Sequence, residues 1–342
     1  MSPLIFLNIE LVLLVIFSAS EFSFTVSGSV KSNGVCYGEN GDNLPPPSEV
    51  IDLYKSNNIR SIRLYGPNQD ALKALKNSNI PVILGVPVSD VPSLASNPSA
   101  AASWIQNNVL SFLPDVTFRY ITVGNQQIYG NEAGNILPAM QNVQKALQSA
   151  GLQDRIKVST AVGTDVLGSS YPPSHGTFAF KALPILQPII DFLAANGAPL
   201  RVNVYPYDSY SSNPNDISID YALFTSPGTV VTNGQLQYQN LFDAIVDAVY
   251  SALELSGKSN VAVVVSETGW PSEGGLAATA ANAQTYVSNL MKHVVSGTPK
   301  RPGSIEAYIF EMFDEDIKQP QGTENHYGLF YPNKQPKYSL SS

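Results

Sequence analysis

The chain predicts a single (β/α)8 TIM barrel, an α/β fold, on three observations. Short apolar, β-rich runs recur at residues 35–38, 59–65, 81–88, 118–123, 156–162, 200–205, 260–266 and 305–313, eight in all. Between most of them lie stretches with apolar residues three and four apart, such as Ile136, Met140, Val143 and Leu147, or Leu241, Ile245, Ala248 and Leu253. That is the spacing of one helix face. No Gly-x-Gly-x-x-Gly or Gly-x-x-x-x-Gly-Lys loop follows an early run, which weighs against the open doubly wound sheet that often carries such loops. Runs apolar throughout suit strands buried on both faces, and eight of them, each followed by a helical segment, close into a parallel barrel.

At the N-terminus, the apolar stretch from Leu11 to Phe17 and the small residues Ser18, Ala19 and Ser20 read as a secretory signal over residues 1–28. The stretch is too short to span a bilayer. The barrel then occupies residues 29–342, and the expected destination is the extracellular space or cell wall, with the vacuole as the other possibility. Segments rich in Pro, Ser, Gly and Asn at 42–48, 168–176 and 209–216 are each bracketed by barrel-like elements and read as loops.

Composition narrows the partners. The 342 residues are 44% hydrophobic with a formal charge of -8, and the 19 Lys and Arg form no clustered run. Phosphate backbones need such a footprint, so nucleic acid is excluded as an expected partner. Cys36 is the lone cysteine, which rules out an intrachain disulfide, and its simplest reading is a small buried apolar residue. His175, His293 and His326 are scattered, so no metal site and no cofactor is expected. No membrane contact is expected once the signal is removed, and a monomer is the default.

Barrel sites gather at the carboxyl ends of the strands, where the loops converge above a packed interior. Asn125 and Gln126 follow the fourth run, Glu267 the seventh, and Glu311, Asp314, Glu315 and Asp316 the eighth. Strands four and seven face each other across such a barrel. Retaining glycoside hydrolysis uses one carboxylate to attack the anomeric carbon and one carboxylic acid to protonate the leaving oxygen. Glu267 suits the attacker, although position alone reads equally as a surface glutamate of a β-to-α loop. Tyr65, Tyr205, Tyr207 and Phe313 also follow strands, where aromatic faces could stack sugar rings or simply pack.

Six segments together carry a specific likeness: 34–38 (GVCYG), 63–69 (RLYGPNQ), 123–125 (VGN), 202–207 (VNVYPY), 264–272 (VVSETGWPS) and 306–313 (EAYIFEMF). The chain resembles the plant β-1,3-glucan endohydrolases of glycoside hydrolase family 17 from about Gly34 to Tyr338. The resemblance implies a barrel enzyme of retaining mechanism acting on β-1,3-glucan, with Glu267 as nucleophile in a Ser-Glu-x-Gly-Trp-Pro motif. It also implies that Asn125 binds the sugar 2-hydroxyl and that Glu315, Lys318 and Glu324 form a charged cluster beside the cleft. Without it, those three would read as a solvated ion-pair face.

One position departs from the pattern. Gln126 stands where the family's Val-Gly-Asn-Glu motif places its acid/base glutamate. A neutral amide carries no proton it can give up near pH 7. Glu132, six residues on at the start of the next helix, is too far along to take over. The sequence therefore supports a weakened β-1,3-glucan hydrolase and, beside it, a glucan-binding protein without turnover.

Overall fold

The computed structural model describes residues 33–339, so the expected signal over 1–28 lies outside the described residues. Eight strands form a closed, all-parallel barrel in which β1 (Asn33–Tyr37) pairs with both β2 (Ser61–Leu64) and β8 (Ala307–Ile309). The circuit is completed by β3 (Val82–Val86), β4 (Phe118–Asn125), β5 (Lys157–Gly163), β6 (Leu200–Asn203) and β7 (Val263–Thr268). Each predicted run contains or overlaps one of these strands.

The period of two along each strand divides the apolar residues into two sets. Cys36, Ile83, Tyr120, Val264 and Tyr308 cluster together inside the barrel. Their neighbours Val35, Val82, Leu84, Ile121, Val123, Val263, Val265, Ala307 and Ile309 belong to the larger core. That core also takes in the buried faces of the surrounding helices, including Ile136, Met140, Val143 and Leu147 of the helix Ala133–Ser149, as the helical spacing predicted.

Helix starts follow from short polar side chains. Asn240 Oδ1 accepts the Asp243 N–H at the start of the helix Leu241–Leu255, and Thr279 Oγ1 accepts from Asn282 N–H at the start of the helix Ala280–His293. The helix Leu183–Asn196 ends on Gly197, whose φ of +58° is the left-handed cap that a side chain would strain.

Two expectations need correction. The run at 305–313 contributes only three residues to the sheet, because the chain leaves the ladder at Phe310. In addition, the eighth strand is followed by no α-helix among the described residues. Residues 310–338 form an irregular segment with one 3-10 turn, Thr323–Asn325. Gly322, Gly328, Pro320, Pro332 and Pro336 break any helical register there.

Strand registers shift where the site lies. Between β4 and β5, three steps from Thr122 to Asn125 face two from Ser159 to Ala161. In β7, two steps from Val265 to Glu267 face one from Val202 to Asn203. Such bulges bend a strand and re-aim its side chains. Gly124 at φ +71° and Gln126 at φ +55° form the turn that ends β4.

Candidate active site

Glu267 emerges from the β7 bulge only 4% exposed. Its Oε1 accepts from Arg63 Nη1 at 2.7 Å and Tyr65 Oη at 2.8 Å, while Oε2 accepts from Tyr205 Oη at 2.9 Å. Donors to an ionised acceptor are the strong class of hydrogen bond. Arg63 is itself fixed: Nη1 also reaches the Ser266 carbonyl at 2.9 Å and Nη2 reaches Asn125 Oδ1 at 3.0 Å. Asn203 closes the network, donating to Asn125 Oδ1 at 3.1 Å and accepting from Ser266 Oγ at 2.7 Å.

Electrostatics keeps these donors protonated. Burial alone would lower the Arg63 pKa, but Tyr65, Glu267 and Cys36 around it hold the guanidinium above its ordinary value. The phenols of Tyr65 and Tyr205 lie well above theirs, first through burial; Cys36 and then Glu267 raise Tyr65 further, and Glu267 and then Tyr65 raise Tyr205. Cys36 is fully buried, its thiol pushed up to about 12 chiefly by burial, which leaves it inert and close to the Ser266 carbonyl at 3.4 Å.

Glu267 opens onto a cleft of about 630 Å³ at the carboxyl end of the barrel. Tyr65, Asn125, Gln126, Tyr205, Glu315, Lys318 and Glu324 all line it, so seven sequence-predicted residues join Glu267 in one groove. Gln126 is exposed at the end of β4, with its backbone N–H bonded to Ala161 O at 2.8 Å. Glu132 does not line the groove; its Oε2 accepts from Asn135 Nδ2 at 2.8 Å at the start of the helix Ala133–Ser149.

Phe313 is the correction. It is 1% exposed, absent from the cleft wall, and packed edge-on against Tyr37 and tilted against Phe330, both with centroids 6.5 Å away. A fully apolar ring gains more from the core than from a wet groove, and the irregular backbone after β8 turns it inward. Tyr207 likewise packs on Trp270 at 5.0 Å. The phenylalanine in the cleft is Phe310, which meets the lining rings of Tyr65, Tyr205 and Tyr327 edge-on.

The charged cluster is built around Lys318. Its Nζ lies 3.2 Å from Glu324, 3.6 Å from Glu315, 3.7 Å from Glu311 and 4.1 Å from the Phe310 centroid. Glu311 is fully buried, and burial first, with Glu315 and Glu267 adding to it against Lys318, pushes its carboxyl well above the usual range. Glu311 and Glu315 converge over Gly38, where a Cβ would collide with both. Asp208, across the groove, is pushed up to about 6 by desolvation and by Glu324.

Sequence reasoning passed over Arg63, Asn203, Asp208 and Phe310. The one local signal for Arg63 was a charge inside an apolar strand run, since burying a charge is costly unless it is paired.

The family model for Glycosyl hydrolases family 17 matches residues 33–342. A glucan endo-1,3-beta-glucosidase of Vitis vinifera is 56% identical over 93% of this chain and 93% of its own length. Among solved structures, a plant beta-glucan endohydrolase shares 48% identity at a TM-score of 0.88, covering 90% of this chain and 100% of its own. A beta-1,3-glucanase and allergen of Cryptomeria japonica pollen shares 46% at 0.87, covering 90% and 98%. A match that runs through all eight strands and both walls of the groove leaves one conclusion: this chain belongs to glycosyl hydrolases family 17.

Proposed function

We propose that this chain is a retaining endo-hydrolase of β-1,3-glucan, with Glu267 as nucleophile, slowed by Gln126 in place of the acid/base. The observation that carries it is the seating of Glu267 between Arg63, Tyr65 and Tyr205 at the floor of the groove. Oε1 takes two strong donors and Oε2 only one, so Oε2 keeps a lone pair for the anomeric carbon. Arg63, fixed by Ser266 and Asn125, holds that carboxylate in place as a glucose ring settles on it. Asn125, Tyr65 and Tyr205 contact the reacting sugar, while Glu315, Lys318 and Glu324 bind hydroxyls further along the chain.

Gln126 hydrogen-bonds the glycosidic oxygen but neither protonates it nor later takes a proton from the hydrolytic water. Positioned acid/base groups are worth ~10² to 10⁴-fold, about 3 to 5 kcal/mol of barrier, so an ordinary sugar leaving group departs slowly. Gln126 also supports a second reading, a glucan-binding protein without turnover. The two separate in one comparison: hydrolysis and binding of a linear β-1,3-glucan by the wild type and by Gln126→Glu. Equal binding with a gain of at least ~10²-fold in turnover supports the slowed hydrolase. Equal turnover refutes the role given to position 126, and no measurable wild-type turnover favours the binding protein. The protein acts as a monomer outside the cell in this reading.

A further inference from the structure

We propose that Asp208 selects what the groove accepts: its carboxylate takes the hydroxyl groups of a neutral glucan ring and turns anionic rings away. The inference rests on a glucan occupying the groove, as in the reading above, and names a residue that decides which glucans enter. Asp208 stands on the helix Pro206–Ser212, which begins directly after Tyr205, a donor to Glu267. Its N–H bonds Tyr205 O at 3.1 Å and fixes the turn between the two. Tyr207 and Tyr210 anchor the helix by packing on Trp270, with centroids 5.0 and 5.9 Å away. Asp208 is left exposed and lines the groove.

The other carboxyl groups of the groove have protein partners. Glu267 is held by Arg63, Tyr65 and Tyr205, and Glu39 accepts from Asn68 Nδ2. Glu311, Glu315 and Glu324 gather on Lys318. Among the described residues the Asp208 carboxyl makes no hydrogen bond and no ion pair. Desolvation by the groove walls first, and then the like charge of Glu324, push it up to about 6. A carboxylate so placed has lost part of its water and gained nothing from the protein in return.

An ionised carboxylate only accepts, with sites for several donors, and a glucose ring supplies hydroxyl donors. Hydroxyls arriving at Asp208 restore what the groove walls removed, through bonds of the charge-assisted class. A ring that carries its own carboxylate meets the reverse. Asp208 and Glu324 repel it together, and Lys318, the one cation that lines the groove among the described residues, is already shared by three carboxyl groups.

The test measures affinity by titration calorimetry for a linear β-1,3-glucan oligosaccharide and for its carboxymethylated form, using the wild type, Asp208→Asn and Asp208→Glu. Urea curves check that each variant is folded. Asp208→Asn is expected to lose ~10-fold in affinity for the neutral oligosaccharide, the worth of a hydrogen bond to a charged group. It should gain ~5-fold for the carboxymethylated form at low salt, a gain that added salt removes. Asp208→Glu keeps the charge and should keep the discrimination. Opposite effects on the two ligands are a signature that a merely structural side chain does not give. Hydroxyl donors favour the ionised form, so the neutral affinity of the wild type should also fall as pH drops through about 6, and Asp208→Asn should lack that limb. Glu324 with its partner Lys318, and the phenols of Tyr207, Tyr286 and Tyr327, face Asp208 and are the same in both proteins, so the difference belongs to position 208. Equal affinity of the wild type and Asp208→Asn for the neutral oligosaccharide would overturn the proposal, as would an equal loss on both ligands. If the wild type binds no β-1,3-glucan at all, the reading of the groove itself falls, and this inference with it.

Discussion

Replacing Arg63 by Met removes one charge from a pair that has almost no contact with solvent. The Arg63 and Glu267 side chains are 2% and 6% exposed, with 2.7 Å between Nη1 and Oε1. Deleting one partner of such a pair leaves the other buried and uncompensated, at a cost of about 3–5 kcal/mol. The Ser266 carbonyl and the Asn125 amide oxygen lose donors in the same step, at ~1 kcal/mol each, which places the expected loss toward the upper end. Tyr65 and Tyr205 still hold the carboxylate, so the protein should fold. The assay is urea denaturation of wild type, Arg63→Met, Glu267→Leu and the double variant. Because the penalty comes from the stranded charge, the double variant should be more stable than Arg63→Met alone. A cost below ~1 kcal/mol for Arg63→Met, or a double variant no better than that single change, would refute the reasoning.

Glu311 gives a pH-dependent difference. Its folded pKa is raised, so its contribution to stability is present below the ordinary carboxylate range and declines as pH rises toward the folded value. Glu311→Gln should therefore gain stability relative to wild type between pH 4 and pH 8, read from paired urea curves; a difference independent of pH would contradict the assignment. Tyr205→Phe removes one donor from Glu267 Oε2 and should slow labelling of that carboxylate by about 10 to 100-fold, the worth of a hydrogen bond to a charged group, at little cost in stability. Phe313→Ala should cost about 3–5 kcal/mol by leaving a cavity beside Tyr37 and Phe330, yet leave the glucan affinity of the folded protein unchanged. Weakened affinity in folded Phe313→Ala would return that ring to the cleft wall.

The barrel was legible because strands buried on both faces cannot alternate, and runs such as 118–123 and 260–266 therefore stand out as continuous apolar blocks. Glu267 and Gln126 could be found because a strand end is a place on the map of this fold. The 305–313 run was overextended for a related reason. Phe310, Met312 and Phe313 are as apolar as a strand, and periodicity does not distinguish a buried irregular segment from a buried ladder. The same blindness exchanged Phe313 for Phe310: three residues apart, they differ only in the path of the backbone after β8. Arg63 was missed because its meaning depends on a partner about two hundred residues later in the chain, a separation printed on no local pattern.

The missing eighth helix has a consequence for how this protein can diverge. One irregular stretch, 310–338, supplies Phe310, Glu311, Glu315, Lys318, Glu324 and Tyr327 to the groove. Its return is pinned by Lys337 to Asp314 at 2.7 Å and by Phe313 against Phe330. Between those clamps the described residues hold one 3-10 turn, Thr323–Asn325, and no α-helix. Insertions or exchanges there can reshape one bank of the groove while the barrel staves and the Glu267 anchor stay in place, so new sugar preferences can arise on this scaffold by rewriting a single contiguous passage.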